Sequence, residues 1–207
     1  MTNVIADISM SLDGYVTGPD AGPENGLGIG GEPIHEWALS GDSPLDTKIL
    51  DAVVAATGAV VMGRRTFDVV DGPNGWGDDL GYGADRKPAD APPIFVVTHA
   101  APEKVRLAGR FTFVTDGIDR AIAAAARAAG DRDVFIMGGA SVIQQALAAG
   151  LVDEFHLHLA PVLLGGGTRL FEDIAARPRL EPIETVQAPR ATHLSYRVVR
   201  AIADVQM

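Results

Sequence analysis

The sequence predicts one three-layer α/β/α domain with a mainly parallel central sheet and a C-terminal antiparallel hairpin. Three observations lead there. Residues 59–62, 94–98 and 134–137 are short unbroken apolar runs, the pattern of strands buried on both faces of a parallel sheet. Residues 44–57 and 118–129 carry apolar side chains at helical spacing, so strand and helix alternate as in crossover units. Residues 183–187 and 192–201 flank Pro189 and read as two closing strands.

Each element has its own local cause. Residues 4–10 alternate loosely as a first strand, which ends at Ser11-Leu12-Asp13-Gly14, where Asp and Gly favour a turn; residues 15–17 extend it. Residues 18–33 are too rich in Gly and Pro for regular structure and make a long loop suited to a lid. Ser43 and Pro44 then supply an N-cap and a first helical position, with Asp46 in the first turn. Ile49, Leu50, Val53 and Val54 form that helix's apolar face and Gly58 stops it. The run 59–62 leads into Gly63-Arg64-Arg65-Thr66-Phe67. Residues 71–93 form a second long loop, pinned only by the aromatics Trp76 and Tyr82. Residues 94–98 and 110–115 are strands, followed by an alanine-rich helix over 118–129 with Asp116 or Asp119 near its cap and Gly130 at its end. After the run 134–137, Val142, Ile143, Ala146 and Leu147 return to helical spacing, with Gly150 as C-cap. Residues 152–159 alternate as a strand with two different faces, and residues 165–167 form a glycine loop.

At 207 residues, with no composition break, residues 1–207 are read as a single domain. A hydrophobic share of 47% with 21% charged residues is ordinary for a globular protein, and no apolar stretch is long enough to span a bilayer. The N-terminus lacks the basic and apolar regions of a secretory signal, which points to a cytoplasmic protein. The absence of cysteine excludes disulfides, thiolate metal sites and a cysteine nucleophile. A formal charge of −10 argues against nucleic-acid or anionic-membrane partners, but a few donors inside a cleft can still hold a small anion. Lys48, Ser11 and Ser141 form no pattern with a His or Asp that would activate a nucleophile, which disfavours hydrolysis.

The chemistry gathers at glycines that follow strands. At Gly138-Gly139 the period changes from strand to helix, and two missing Cβ atoms leave backbone N–H groups accessible at a helix N-terminus. Two readings stand at that point: a plain tight turn, or a phosphate-binding turn. Gly63-Arg64-Arg65-Thr66 repeats the arrangement with two guanidinium forks added. Ligands of open α/β sheets collect at strand carboxyl ends, so Gly63, Thr98 and Gly138 form one site if their strands are neighbours.

Together, Ser11-Leu12-Asp13-Gly14, the 61–67 segment Val-Met-Gly-Arg-Arg-Thr-Phe, Val96-Val97-Thr98-His99 and the 136–142 segment Ile-Met-Gly-Gly-Ala-Ser-Val resemble the dihydrofolate reductase superfamily. The match is nearer to the reductase domain of the bifunctional riboflavin-biosynthesis deaminase–reductase and its free-standing relatives, and it spans nearly the whole chain. The resemblance implies a dihydrofolate reductase-like fold and NADPH as cofactor. It implies that Gly63, Arg64, Arg65 and Thr66 hold the 2′-phosphate and pyrophosphate, and that Val97, Thr98 and His99 lie beside the adenosine. It further assigns Gly138, Gly139, Ala140, Ser141 and Val142 to the pyrophosphate turn, and Val16 and Thr17 to the nicotinamide.

On the substrate side, dihydrofolate reductases place a carboxylate in the first helix. The position aligned by counting back from Gly63 is Thr47, with Asp46 adjacent and Asp51 one turn later. Asp46 is one catalytic candidate, its alternative role being to favour the helix N-terminus. Asp13, which in the riboflavin-type reductases borders the substrate cleft, is the other, its alternative being a turn-stabilising residue. His156, His158 and Glu154 share one strand face, a set that could ligate a metal but more often packs and hydrogen-bonds; the resembled family uses none, and none is expected.

The expectation is therefore an NADPH-dependent reductase that transfers hydride to a small polar heterocycle or a ribosylamino-pyrimidine. The 5-amino-6-(5-phosphoribosylamino)uracil reductase is the type it resembles. The alternatives are a pterin or folate reductase and a non-catalytic NADPH-binding module. The resemblance also implies a homodimer formed through the terminal strands. The missing zinc-ligand pattern of His and Cys gives no deaminase segment.

Overall fold

A computed structural model describes residues 2–77, 80–84, 91–172 and 177–199. Its centre is an eight-stranded sheet. The strands are β1 (Val4–Ser11), β3 (Thr57–Gly63), β4 (Ile94–Val97), β5 (Phe111–Val114), β6 (Asp133–Gly138), β7 (Glu154–Ala160), β9 (Arg179–Gln187) and β10 (Thr192–Val199). Their order is β5-β4-β3-β6-β1-β7-β10-β9. Every neighbouring pair from β5 to β7 is parallel, whereas β10 runs antiparallel to both β7 and β9. A mainly parallel sheet closed by an antiparallel hairpin is thus what the chain forms.

The two faces of the sheet are packed differently. On one, Val4, Ala6 and Ile8 of β1, Ala59 and Val61 of β3, and Val134 and Ile136 of β6 pack against α4 (Ile118–Ala129) and α5 (Ala140–Ala148). On the other, Val60, Met62, Ile94 and Val96 pack against Phe67 and Val70 of α3 (Arg64–Val70), with Phe111 and Phe113 set edge-on to Phe67. The alternation of β3 between these two cores explains its unbroken burial.

Beside that second core, under α1 (Glu36–Leu39) and α2 (Pro44–Ala56), the sheet is polar. Ser43 caps α2 by accepting from the amide of Asp46. The expected apolar face of Ile49, Leu50, Val53 and Val54 is only half-buried, and the one fully buried residue of α2 is Asp46. The reason lies beneath: a cavity of about 370 Å³ separates Ile49 and Val53 from the sheet.

Several boundaries differ from the sequence expectation for identifiable reasons. Gly58 belongs to β3 and does not end α2; a Cβ there would stand 2.6 Å from the carbonyl of Ala129, so glycine lets α4 close against the strand. Neither Asp116 nor Asp119 caps α4, which starts at Gly117 with φ +93° and no side-chain cap. A 3₁₀ turn over Glu32–His35 and α1 occupy a stretch given no element from the sequence, held by burial of Ile34 and Trp37. β2 (Tyr15–Thr17) leaves the main sheet to pair with the two-residue β8 (Thr168–Arg169). Loop 18–33 winds back on itself: Gly18 N donates to Leu27 O, Ile29 N to Pro19 O, and its tip meets the second loop where Asn74 donates to Glu24 O at 3.1 Å. Residues 78–79 and 85–90 of that second loop, and residues 200–201 of the last expected strand, lie outside the described residues.

Candidate active site

The strand order puts β4, β3 and β6 side by side and parallel, so their carboxyl ends share one edge. Gly63 lies opposite Val97, and Met62 opposite Gly138. A Cβ on Gly63 would stand 2.7 Å from Val142 Cγ2, and one on Gly139 would stand 3.3 Å from Thr66 Oγ1. Gly63, Thr66, Gly138, Gly139 and Val142 therefore form one packed group. Gly138 has φ +122°, a conformation that side chains rarely adopt. Gly139 caps α5, and the first-turn amides of Ala140 and Ser141 have no carbonyl four residues back within the helix.

Arg64 and Thr98 are joined through one acceptor. Arg64 Nη1 donates to the carbonyl of Ala100 at 3.2 Å, and Thr98 Oγ1 donates to the same carbonyl at 2.8 Å. Arg64 Nε also donates to Asp68 Oδ1 at 2.7 Å. Thr98 is buried, while Arg65, His99 and Ser141 are exposed along this edge. Val16 and Thr17 make different contacts: Val16 is buried in the core on the α5 side, and Thr17 Oγ1 accepts from the amide of Thr168.

The two carboxylates singled out from the sequence have opposite surroundings. Asp13 accepts from Ser11 Oγ at 2.6 Å and from the amides of Leu164 and Gly165. The Ser11 hydroxyl and these amides hold its carboxyl down at about 2, against a smaller upward push from burial. It is an ionised clamp between two loops, which suits the turn-stabilising role and not proton donation. Asp46 is fully buried; its Oδ1 is hydrogen-bonded to His193 Nε2 at 2.8 Å and its Oδ2 has no hydrogen-bond partner. Thr47, the position reached by alignment, is exposed and its hydroxyl donates to Ser43 O, so the inward residue is the one before it. Asp51 faces outward.

Asp46 begins a chain of buried polar groups that crosses the sheet. His193 Nδ1 lies 2.7 Å from His158 Nδ1, and His158 Nε2 lies 3.2 Å from Asp7 Oδ2. The register of β10, β7 and β1 creates this line by setting His193 opposite His158 and His156 opposite Asp7. Trp37 stacks on His158 with ring centroids 4.0 Å apart and donates to Ser9 Oγ at 2.8 Å, covering the pair. Arg190, in the turn before β10, binds Glu36 of α1 and Asp42 just before α2, which fixes these helices over the chain. His156 pairs with Glu154 at 3.1 Å and lies 3.9 Å from Asp7, so both histidines on this strand face the Asp7 carboxylate.

Burial and its neighbours shift these groups. Burial raises the Asp7 carboxyl, but His158 and His156 and, more weakly, His193 outweigh it and the net direction is downward. Burial, joined by His158, lowers His193 on balance despite the opposing hydrogen bond to Asp46. His35, whose Nδ1 is buried without a partner, is lowered to about 4 by burial and by His158.

Sequence reasoning missed His193, Trp37, Ser9, Asp7 and His35. His193 sits in a predicted strand, and no local pattern reveals which other histidine a strand partner will present. Trp37 lay in a stretch without a periodic signal.

Comparisons with known proteins give one family model and several likenesses of fold. The model of the RibD C-terminal domain matches residues 2–194. The uncharacterized protein YyaP of Bacillus subtilis (strain 168) is 26% identical over 188 residues, covering 88% of this chain and 87% of YyaP. The crystal structure of a protein from Shewanella sp. PV-4, described as a candidate riboflavin biosynthesis protein, superposes with TM-score 0.67 at 23% identity. That match covers 97% of this chain and 100% of the other. Acinetobacter baumannii RibD gives TM-score 0.61 at 19% identity, covering 97% of this chain and 59% of RibD. A pyrimidine reductase-like protein from Corynebacterium diphtheriae gives 0.59 at 18% identity, covering 96% and 92%.

Proposed function

This chain belongs to the RibD C-terminal domain family, and from that membership we propose that it is an NADPH-dependent reductase acting on a small polar heterocycle or a ribosylamino-pyrimidine. The observation that carries the reading is the shared edge of β4, β3 and β6, where Gly63 and Gly138 end adjacent strands and Arg64 and Thr98 meet at one carbonyl.

The donors at this edge fit NADPH. Arg64 and Arg65 would hold the 2′-phosphate as bidentate forks, with Thr66 beside them. The amides of Ala140 and Ser141, left open by Gly138 and Gly139, would take the pyrophosphate, with Val142 starting the helix behind them. Val97, Thr98 and His99 would border the adenosine, and Val16 and Thr17 the nicotinamide. Bound NADPH supplies the hydride. The protein's part is orientation and electrostatics, together with a proton for the reduced substrate, for which the proposed source is Asp46, the fully buried carboxyl in the first turn of α2.

The test is a paired titration of NADPH and NADH against wild type and Arg64→Ala. Wild type is expected to prefer NADPH, and the variant to lose that preference. Equal, weak binding of both cofactors by wild type would sink the reading. Tight NADPH binding with no oxidation by any pyrimidine or pterin would leave a binding module.

The burial of Asp46 in the first turn of α2 favours a second reading, a pterin or folate reductase. Against it stands His193, which already occupies one of the two carboxylate oxygens. Stoichiometric binding of a methotrexate-like antifolate decides for it. The reading also includes a homodimer through the β9–β10 edge and a cytoplasmic location; among the described residues no helix is long and apolar enough to cross a membrane.

A further inference from the structure

We propose that Asp46, His193, His158 and Asp7 form a single proton-conducting chain that carries a proton from Asp7 to the Asp46 carboxyl, whose Oδ2 is left without a partner. Delivery from Asp46 to a reduced substrate rests on the reductase reading; the chain itself does not.

The argument starts from proton counting. Two Nδ1 atoms at 2.7 Å must share one proton, since two lone pairs or two N–H groups would repel at that distance. Each Nε2 faces a carboxylate, Asp46 at 2.8 Å and Asp7 at 3.2 Å. Three contacts in series hold three protons, one in each, and the four groups carry a net charge of −1. That charge can sit at either end.

Transfer balances without any charged imidazole. Asp7, whose carboxyl the neighbouring imidazoles hold below its ordinary value, takes a proton from water only transiently; with that proton on Asp7 and others on His158 Nδ1 and His193 Nε2, each moves across one hydrogen bond: Asp7 to His158 Nε2, His158 Nδ1 to His193 Nδ1, and His193 Nε2 to Asp46. The carboxylate charge passes from Asp46 to Asp7 and both rings exchange tautomer. Asp7 is reprotonated by water, its side chain being 18% exposed while Asp46 is fully buried, and the two rings regain their starting tautomers by exchanging protons with solvent at the cavity they border.

The two ends differ in exposure, Asp7 being the more open and Asp46 fully buried, while the imidazoles between them border the cavity with His156, Glu154 and Glu184. At the far end Asp46 Oδ2 is the one oxygen of that carboxylate left without a partner. Trp37 seals the middle by stacking on His158 and meeting His193 edge-on. The other titratable groups facing the chain are His156 and Glu154 on β7, Glu184 on β9 and His35 on the 3₁₀ turn, while Asp133 on β6 is spent on the amide of Asn3.

The first test needs no turnover. In ligand-free protein labelled at the histidine ring nitrogens, ¹⁵N–¹H spectra between pH 5 and 8 should show one Nδ1-bound proton shared by His158 and His193. The two rings should titrate together, and Asp46→Asn should displace the resonances of both. Two independent titrations, or an effect of Asp46→Asn on His193 alone, overturn the chain. The second test uses NADPH oxidation. His158→Gln, which removes the relay without touching Asp46, should lower kcat roughly 10²-fold, enlarge the solvent isotope effect and leave the NADPH Kd unchanged. An unchanged kcat and pH profile overturn the delivery. Should His158→Gln not fold, His193→Gln under the same readouts takes its place. A wild type that binds NADPH without oxidising it sinks the reductase reading, and the spectra decide the chain on their own.

Discussion

Arg64 and Asp68 form an ion pair one turn apart on α3, Nε to Oδ1 at 2.7 Å, with the two side chains 41% and 33% exposed. The pair orients the guanidinium while opposing a phosphate with its carboxylate. At this exposure it is worth at most about 1 kcal/mol. Asp68→Ala is therefore expected to tighten NADPH binding by up to about fivefold at low salt and to leave NADH unchanged. Calorimetric titration checks this; equal changes for both cofactors would separate Arg64 from the 2′-phosphate.

Gly63→Ala places a Cβ against Val142 Cγ2, a short branched side chain in a buried strand-to-helix contact. The expected cost is about 1–3 kcal/mol, read as a lower denaturation midpoint. In a double-mutant cycle, Val142→Ala should recover part of it by removing the colliding methyl. Additive losses would show that the strain lies elsewhere.

His35 makes stability depend on pH with a definite sign. Its folded value of about 4 lies below the ordinary 6.5, so the unfolded chain takes the proton first. Stability is complete above pH 6.5 and falls as pH drops toward 4, by roughly 3 kcal/mol for this group. Denaturant melts at pH 7 and pH 5 should differ less in His35→Phe than in wild type.

Asp13 acts in a lower window. Its carboxyl, held at about 2, is charged in the fold at pH values where the unfolded chain at 3.8 is protonated. Its contribution is present above pH 3.8 and lost as pH falls to about 2. Asp13→Asn should remove that dependence and speed amide exchange at Leu164 and Gly165, whose N–H groups it binds. If exchange there is unaltered, the carboxylate is not the clamp.

β9 is the sheet edge and is exposed along most of its length, with Leu180 38% and Ile183 47% exposed. Such edges are commonly covered. Light scattering is expected to give twice the chain mass for wild type and the single mass for Ile183→Lys. A monomeric wild type removes the dimer from the proposal.

The parallel core was legible because its strands are continuous apolar runs and its glycines punctuate them, as at Gly63 and Gly138. β8 escaped, since two polar residues paired to a distant strand leave no period to read. At the site, the glycine edge could be assembled once strand neighbours were supposed. The inward turn of Asp46 could not, because one helical position separates it from exposed Thr47 and the partner that draws it in, His193, lies on a strand far along the chain. α2 also misled in a general way. Its apolar spacing forecast a buried face, whereas the half-buried Ile49 and Val53 border a cavity and the polar Asp46 is sealed.

The buried polar line has a consequence for how the molecule matures. Its links join residues 147 and 151 positions apart, so it closes only after distant segments have met. A partly folded chain with β1, β7 and α2 in place but β10 undocked would leave Asp46 without its imidazole and Trp37 covering half a pair. Competence for proton transfer is thus a property of the finished topology. It depends on the docking of the hairpin, and a chain arrested before that step could bear the glycine edge complete while remaining chemically mute.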